Sequence, residues 1–396
     1  AILADISGKT IAETGTTIFR PPYTPVPIAA FAGRSRGKEF RPTHYTPSHQ
    51  WAVSEGAKFV ETGIWLRAQW YPAPGETEWR QSVDREVTAV RKSVGVCDVS
   101  TLGKIDIQGR DVGTFLNRVY ANEFAKLPVG KTRYGLMLRE DGMVMDDGTT
   151  ARLDKTHYLM TTTTANAVAV FRHLEFCHQC LWPDLDVHLI SVTEQYAQFA
   201  IAGPNSRRLL EKLIDPKEDI SNDTFPFMAC GTILICGGVK ARLFRISFSG
   251  ELAFEIAVPA RYGNSMMRAL MEAGEEFGVT AYGTEALGVL RIEKGHVAGN
   301  ELNGQTTARQ MGLGRMVSQK KDSIGLVLSR REQMVRDDDY ELVGLKPLDP
   351  KVSLTAGSHF IAVGAASTAE NDEGWVTSVA YSPHLKTFIG LGYIRR

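Results

Sequence analysis

The sequence has no long apolar run. None of its 396 residues belongs to a stretch approaching the roughly 20 apolar residues that a membrane-spanning helix needs. Its first five residues, Ala-Ile-Leu-Ala-Asp, have neither the basic region nor the hydrophobic region of a signal peptide. We therefore expect a protein that neither spans a membrane nor is exported.

The sequence also lacks an excess of either charge. Lysine plus arginine and aspartate plus glutamate number 45 each, and no basic run stands out. A nucleic-acid or anionic-lipid partner would require a positive patch. The charge pattern thus argues against a nucleic-acid or membrane partner and favours small molecules or proteins.

Cysteines are few and odd in number, which is typical of a reducing compartment rather than of a disulfide scaffold. We therefore expect a cytoplasmic protein. Two of the cysteines, Cys177 and Cys180, have the spacing of half a zinc site, but no second Cys/His pair accompanies them. We expect no metal centre and interpret the two residues as ordinary thiols at a helix end.

Several catalytic motifs are missing. The sequence contains no Gly-x-Gly-x-x-Gly fingerprint, no Walker A loop, no Gly-x-Ser-x-Gly elbow and no His-Glu-x-x-His pair. These absences argue against a nucleotide site, an esterase-type hydrolase and a metalloprotease. A flavin or NAD, if the protein uses one, is expected only in other domains or subunits.

The length and the order of patterns predict several domains. A chain of 396 residues exceeds the size at which one hydrophobic core keeps growing. Residues 1–45 are rich in Thr, Pro, Gly and Arg and are interpreted as a linker. Residues 46–315 interleave helical and strand patterns, and residues 326–396 contain short strand patterns separated by turn residues. This order predicts an α+β fold with antiparallel pairing, followed by a small β-barrel domain.

One hairpin contains a candidate reactive group. A strand pattern from Lys131 is followed by the turn Asp141-Gly142, and the returning segment leads to Asp146 and Asp147. The apolar residues of that segment are expected to turn one of the two carboxylates inward. Taken alone, an Asp-Asp pair at a strand end is more often a solvated turn than a catalytic site.

A family resemblance changes that interpretation. Six segments resemble, in order and spacing, the aminomethyltransferase family, whose type member is the T-protein of glycine cleavage. They are residues 90–100, 121–134, 142–147, 202–204, 245–255 and 283–293. The resemblance covers roughly residues 46–390. Within the family, residues 291–307 and 312–317 are most similar to large subunits of heterotetrameric sarcosine oxidases.

The resemblance implies both a fold and a reaction. The implied fold is a three-lobed, cloverleaf-like arrangement with tetrahydrofolate in a central channel. The implied reaction captures the one-carbon unit of a sarcosine-derived imine on tetrahydrofolate to give 5,10-methylenetetrahydrofolate. The imine would form at a flavin in another subunit of a hetero-oligomer, so the chain would be one part of an oxidoreductase.

The same resemblance implies roles for particular residues. Asp147 would lie near the folate nitrogens and act as the catalytic carboxylate. Glu255 would accept hydrogen bonds from the pterin edge, the alternative being a surface carboxylate. Tyr134 would line the channel, the alternative being a core tyrosine.

Three further residues are expected at the folate site. Asn122 lies in one of the matched segments. Arg291 would neutralise either a folate carboxylate or an internal partner such as Glu293. Phe248 stands where glycine-cleavage members usually have tyrosine, so a hydroxyl contact would be lost there.

The sequence also differs from the family at its ends. It stops before the strand that carries a further folate-contacting arginine in relatives, so we expect a truncated C-terminal barrel. It begins without Met, which indicates either a piece of a longer polypeptide or removal of Met before Ala1.

Two other functions stay open. The chain could be a stand-alone folate-dependent aminomethyltransferase or demethylase, or a folate-binding protein without catalysis. The aromatic-rich insertion from Trp65 to Trp79 predicts a docking surface for partner subunits.

Overall fold

A computed structural model describes residues 2–10 and 44–396. Most of the predicted linker 1–45 therefore lies outside the described residues. Its described parts contain helix α1, Ile2–Ser7, and strand β1, His44–Tyr45. The following description concerns the compact unit of residues 43–396, which includes β1.

The strands of this unit belong to four sheets. After β1 they are β2 (Lys58–Thr62), β3 (Trp65–Trp70), β4 (Gly95–Asp98), β5 (Gly103–Gln108), β6 (Lys131–Leu138), β7 (Val144–Asp154), β8 (His157–Thr162), β9 (His188–Ser191), β10 (Tyr196–Ala202), β11 (Cys230–Ile235), β12 (Val239–Phe244), β13 (Ala253–Pro259), β14 (Thr280–Ala281), β15 (Tyr340–Leu345), β16 (His359–Ile361), β17 (Asp372–Ser382) and β18 (Thr387–Arg395).

The helices alternate with these strands. They are α2 (His49–Ser54), α3 (Trp79–Lys92), α4 (Val112–Val119), α5 (Ala167–Phe176), α6 (Ser206–Glu211), α7 (Gly263–Gly274) and α8 (Thr284–Lys294). In the part of the chain that the structure describes, no helix is both long enough and apolar enough to cross a membrane.

Two large sheets form the centre of the unit. Sheet I has the order β11-β12-β13-β10-β4-β14, and sheet II has the order β6-β7-β8-β5-β9. Neighbouring strands are antiparallel except for β14 beside β4 in sheet I. The predicted α+β fold with antiparallel pairing is therefore confirmed.

Each large sheet buries one face under helices. In sheet I, Phe199 and Ile256 pack on α6 and α7, and in sheet II, Ile105 and Ile107 pack on α4 and α5. Side chains alternate between the two faces of a strand. The opposite faces of the two sheets are therefore available to pack against each other.

A smaller cluster joins those opposite faces. It contains Phe244 and Ala257 from sheet I together with Ala151 and Leu159 from sheet II. An ion pair between Arg242 and Asp106, with Nη2 and Oδ2 3.2 Å apart, also links sheet I to sheet II. Residues two or four positions from these cluster members on the same strands also point into the space between sheet I and sheet II.

The C-terminal region is an antiparallel sheet of order β15-β18-β17-β16. The sequence predicted only short strands here, but β17 has 11 residues and β18 has 9. The glycines of β18 lie within the strand and do not mark turns. A Cβ on Gly390 would lie 2.7 Å from the carbonyl oxygen of Ser378, and one on Gly392 would lie 2.7 Å from that of Trp375. Glycine is used here because two backbones approach closely.

The aromatic insertion is mostly packed inward. Trp65 is buried, and the Trp70 ring lies 6.1 Å from the Trp79 ring. Among the aromatic residues of the insertion, Trp79 alone is exposed, and the Arg80 guanidinium lies 4.3 Å from its ring centroid. Trp65 therefore offers little surface to a partner, and the docking surface expected on this insertion stays a prediction.

Candidate functional site

Asp147 and Tyr134 form a diagonal pair on sheet II. In the register of β6 and β7, Tyr134 lies opposite Thr149 and Leu136 lies opposite Asp147. Tyr134 and Asp147 therefore share a face. The Tyr134 hydroxyl donates a hydrogen bond of 2.5 Å to Asp147 Oδ2. Asp147 is only 7% exposed, so the solvated-turn alternative is wrong.

The adjacent Asp146 is also buried, whereas the sequence predicted only one inward carboxylate. It points to the other face of β7. Its Oδ1 accepts hydrogen bonds from the Thr163 hydroxyl at 2.7 Å and from the Asn166 amide at 3.0 Å. Asp146 is thus held by several donors, whereas Tyr134 is the single side-chain donor to Asp147 in the described residues.

Burial raises the pKa of Asp147 to about 7, and the neighbouring charge of Asp146 contributes to the rise. Burial likewise raises the pKa of Asp146 to about 6. A carboxyl group that titrates near neutrality can take up and release a proton at working pH, as general acid–base catalysis requires.

This raised pKa predicts a pH-dependent stability. An unfolded aspartate releases its proton near its usual value of 3.8, whereas folded Asp147 keeps it until about pH 7. The folded state therefore binds more protons in that window, and the free energy of unfolding falls as pH rises through it. Asp147→Asn removes this fall. Between pH 4 and pH 8, the free energy of unfolding of the variant, measured by urea denaturation, should rise relative to that of wild type by at least about 1 kcal/mol. A difference that does not change with pH would contradict the assignment.

His296 brings two predicted residues together. Its ring centroid lies 5.7 Å from that of Tyr134 and 4.8 Å from that of Phe248, which meets it edge-on. Burial lowers the pKa of His296 to about 4, with help from the charges of Lys294 and Arg291, so its imidazole is neutral at pH 7. His296 was not among the site residues predicted from the sequence, because nothing in residues 291–307 indicates that its ring lies beside Tyr134.

Glu255 lies on sheet I beside Gln198. Ala200 is opposite Glu255 and Ala257 is opposite Gln198, so the two polar residues meet diagonally across β10 and β13. The Gln198 Nε2 amide donates to Glu255 Oε2. Glu255 is 8% exposed, which rules out the surface-carboxylate alternative. Burial raises its pKa, and the hydrogen bond from Gln198 partly offsets the rise.

Lys104 places a positive charge near Glu255. It lies on β5 and its Nζ donates to the carbonyl oxygens of Ser100, at 2.8 Å, and Leu102, at 2.9 Å. Burial lowers the pKa of Lys104 to about 8, although the carboxylates of Asp98 and Glu255 oppose the change. Neither Lys104 nor Gln198 was identified from the sequence.

Arg291 pairs within the protein. Its Nη1 donates to Glu301 Oε2 at 2.8 Å, and its Nη2 donates to the Ser378 hydroxyl at 2.6 Å. Glu293, the internal partner suggested from the sequence, instead accepts a hydrogen bond of 2.8 Å from Arg91 Nε. The internal alternative for Arg291 therefore describes the structure, with Glu301 in place of Glu293.

Asn122 supports Tyr134 from the backbone side. Its amide nitrogen donates to the Tyr134 carbonyl oxygen at 2.8 Å, and its amide oxygen accepts from the Leu136 N–H at 3.2 Å. Both ends of the side chain thus hold β6. A direct contact between Asn122 and folate stays a prediction.

The cysteine pair lies at a helix end, as the sequence indicated. Residues Cys177–Leu181 form a π-helical turn after α5. Across the described ranges, no group of three or more His, Cys, Asp or Glu side chains is placed to hold a metal ion.

The two polar groups occupy facing surfaces. Asp147 shares its face of sheet II with Ala151, and Glu255 shares its face of sheet I with Ala257, the two alanines being part of the cluster that joins the sheets. The Asp147–Tyr134 pair and the Glu255–Gln198 pair therefore lie on the faces of the two sheets that point toward each other.

Comparisons with known proteins agree with this architecture. The family model described as GCVT N-terminal domain matches residues 48–321, and the glycine cleavage T-protein C-terminal barrel domain matches residues 341–396. The sarcosine oxidase A3 domain matches residues 1–34. In fold, the chain is similar to glycine cleavage system aminomethyltransferase T from Bartonella henselae. That similarity has a TM-score of 0.75 at 23% identity and covers 89% of this chain and 90% of the other. It confirms the predicted aminomethyltransferase fold.

Two relatives show how far the sequence similarity extends. The chain is 55% identical, over its full length, to sarcosine oxidase subunit alpha of Rhizobium meliloti, of which it spans 40%. It is 31% identical to an aminomethyltransferase of Geobacillus sp. across 86% of this chain and 87% of that protein. The predicted resemblance is confirmed, and the chain belongs to the aminomethyltransferase family of glycine cleavage T-proteins.

Proposed function

We propose that the chain is the tetrahydrofolate-dependent one-carbon transfer module of a sarcosine oxidase. It would capture the one-carbon unit of a sarcosine-derived imine and yield 5,10-methylenetetrahydrofolate. The observation that carries the proposal is the pair Asp147 and Tyr134, a buried carboxylate that titrates near neutrality and is held by a phenol. It lines the same space as the acceptor pair Glu255 and Gln198.

The donor and acceptor chemistry of the space fits folate. The pyrimidine edge of a pterin presents adjacent N–H donors, and a carboxylate accepts two such hydrogen bonds side by side. Glu255 Oε2 accepts from Gln198, and no described residue donates to Oε1. Glu255 therefore has acceptor capacity left for a ligand.

The acid–base step fits Asp147. Tetrahydrofolate, when bound, supplies nucleophilic amine nitrogens, and a proton must leave when such a nitrogen bonds to carbon. Asp147 Oδ1 and Oδ2 are the acceptors for that proton, since the carboxylate titrates near pH 7. Burial and the Asp147 charge raise the pKa of Tyr134, so the phenol keeps its own proton and orients the carboxylate.

The substrate and partners are inferred from the relatives. The identity to sarcosine oxidase subunit alpha, 55%, exceeds the 31% found with the aminomethyltransferase. Because the chain spans about two fifths of the length of that subunit, flavin and NAD are assigned to other domains or to a flavin-bearing subunit of a hetero-oligomer. The five cysteines are free thiols, which supports a reducing compartment such as the cytoplasm.

The two alternatives make different predictions. A stand-alone aminomethyltransferase or demethylase would transfer the carbon without a flavin subunit. A folate-binding protein without catalysis would not need a carboxyl group whose pKa is raised to about 7 by burial. The raised pKa of Asp147 therefore argues against that alternative.

Glu255→Ala tests the folate assignment. We expect tetrahydrofolate binding to weaken by more than about 1 kcal/mol, because the donor edge of the pterin loses its partner. Isothermal titration calorimetry measures the change, with Glu211→Ala, an exposed position on α6, as the matched control. Equal affinity in wild type and Glu255→Ala would remove Glu255 from the pterin site.

A further inference from the structure

Gln198 has a buried acceptor without a partner. The residue is 1% exposed, and its Nε2 donates to Glu255 Oε2. Its Oε1 is fully buried and has no hydrogen-bond partner in the described residues. A buried carbonyl oxygen left unpaired opposes folding, so native proteins rarely retain one without a reason.

The orientation of this amide follows from its neighbour. Turning the amide over would place its carbonyl oxygen against the Glu255 carboxylate, an acceptor facing an acceptor. The unpaired atom is thus the oxygen. The backbone of Gln198 is fixed as well, since its N–H donates 2.9 Å to the Ser100 hydroxyl and its carbonyl oxygen accepts 2.9 Å from the Val99 N–H.

No nearby cation supplies the missing donor. Lys104, whose charge acts on Glu255, already donates to the carbonyl oxygens of Ser100 and Leu102. Arg242 Nη2 donates to Asp106 Oδ2, and its buried Nη1 donates to no described residue, Gln198 included. No described residue donates to Gln198 Oε1, so the atom can accept a hydrogen bond from a ligand.

The surroundings suit a flat ring. On the shared face of β10 and β13, Gln198 and Glu255 occupy one diagonal of a square and Ala200 and Ala257 occupy the other. Two methyl groups beside two acceptors leave a shallow surface on which a planar heterocycle can lie edge-on to the acceptors.

We propose that Gln198 determines the specificity of this site for a 2-amino-4-oxopyrimidine edge. Such an edge has three N–H hydrogens, one on the ring nitrogen and two on the amino group. The Glu255 carboxylate accepts the ring N–H and one amino hydrogen, and Gln198 Oε1 accepts the other. The inference rests on the proposed function, because it takes the pterin of tetrahydrofolate as the ligand.

The 2-amino group gives the test its control ligand. Tetrahydrofolate and its 2-desamino-2-methyl analogue are titrated by calorimetry into wild type, Gln198→Leu, Gln198→Met and Gln195→Leu. Gln195 is an exposed glutamine just before β10 and serves as the matched control. Wild type and Gln195→Leu should prefer tetrahydrofolate by about tenfold or more.

The two Gln198 variants should lose about tenfold or more in affinity for tetrahydrofolate and much less for the analogue. Unfolding midpoints without ligand establish that each variant is folded. If Gln198→Leu does not fold, Gln198→Met serves in its place, because its side chain is unbranched like that of glutamine.

Three results would overturn the inference in distinguishable ways. Unchanged affinity of both Gln198 variants for tetrahydrofolate removes the contact and leaves the proposed function standing. An equal loss for both ligands makes Gln198 a support of Glu255 and not a specificity residue. Absence of tetrahydrofolate binding by wild type ends the proposed function and this inference with it.

Discussion

Asp147→Asn is expected to slow one-carbon transfer by about 10²-fold or more while leaving most of the tetrahydrofolate affinity intact. An asparagine carbonyl can still accept the Tyr134 hydroxyl, so the geometry of the pair survives. It cannot take up the proton. The loss should therefore appear in the rate of transfer and not in binding.

The proposed assembly with a flavin-bearing subunit offers a direct readout for this variant. We expect sarcosine to be oxidised there as in wild type, but the carbon to leave as free formaldehyde instead of 5,10-methylenetetrahydrofolate. Asp154→Asn, an exposed position at the end of the same strand, is the matched control. A wild-type yield of 5,10-methylenetetrahydrofolate from Asp147→Asn would remove Asp147 from the mechanism.

Arg291→Leu is expected to destabilise the fold by about 3–5 kcal/mol, because it leaves the Glu301 charge buried and unpaired. Arg291 is 8% exposed and Glu301 is 0% exposed. Glu301 also accepts hydrogen bonds from the hydroxyls of Thr377 and Ser378, at 2.5 and 2.6 Å, so the network joins α8 to the C-terminal sheet.

Urea denaturation measures this loss. Arg336→Leu is the control, since Arg336 pairs with Asp338 at the surface, where the two side chains are 56% and 59% exposed. Surface pairs contribute little, so the control should change far less. An equal loss in the free energy of unfolding in the two variants would show that the Arg291–Glu301 pair stabilises the fold no more than a surface pair does.

The sequence predicted the Asp147 hairpin well for a local reason. The strand, the Asp-Gly turn and the returning strand are contiguous, so turn chemistry and alternation predict the pairing. They do not predict which carboxylate shares a face with Tyr134, because a register shift between Met137 and Leu138 places Asp147, and not Asp146, opposite Leu136. The role of the carboxylate came from the family resemblance, since the Asp-Asp pair alone favoured a solvated turn.

The partner of Arg291 was open from the sequence for a geometric reason. Arg291 and Glu293 are two positions apart on α8, and residues at that spacing do not face each other on a helix. Helix geometry alone therefore disfavours Glu293. The true partner, Glu301, lies beyond the helix in a loop whose path the sequence pattern does not specify.

Gln198 and His296 could not have been found from spacing. Gln198 meets Glu255 across 57 positions of sequence, and a single glutamine in a strand pattern carries no signal. His296 meets Phe248 through the packing of two loops. Both contacts depend on tertiary structure: the first requires the pairing of β10 with β13 within sheet I, and the second requires the two loops to pack together.

Binding of tetrahydrofolate between the two facing sheets is tested most directly by a calorimetric titration of the chain with tetrahydrofolate. The titration is repeated with Glu255→Ala and with the flavin-bearing subunit present. We expect saturable one-site binding that weakens by about tenfold or more in Glu255→Ala. Absence of binding to wild type, both alone and with the flavin-bearing subunit, would contradict it.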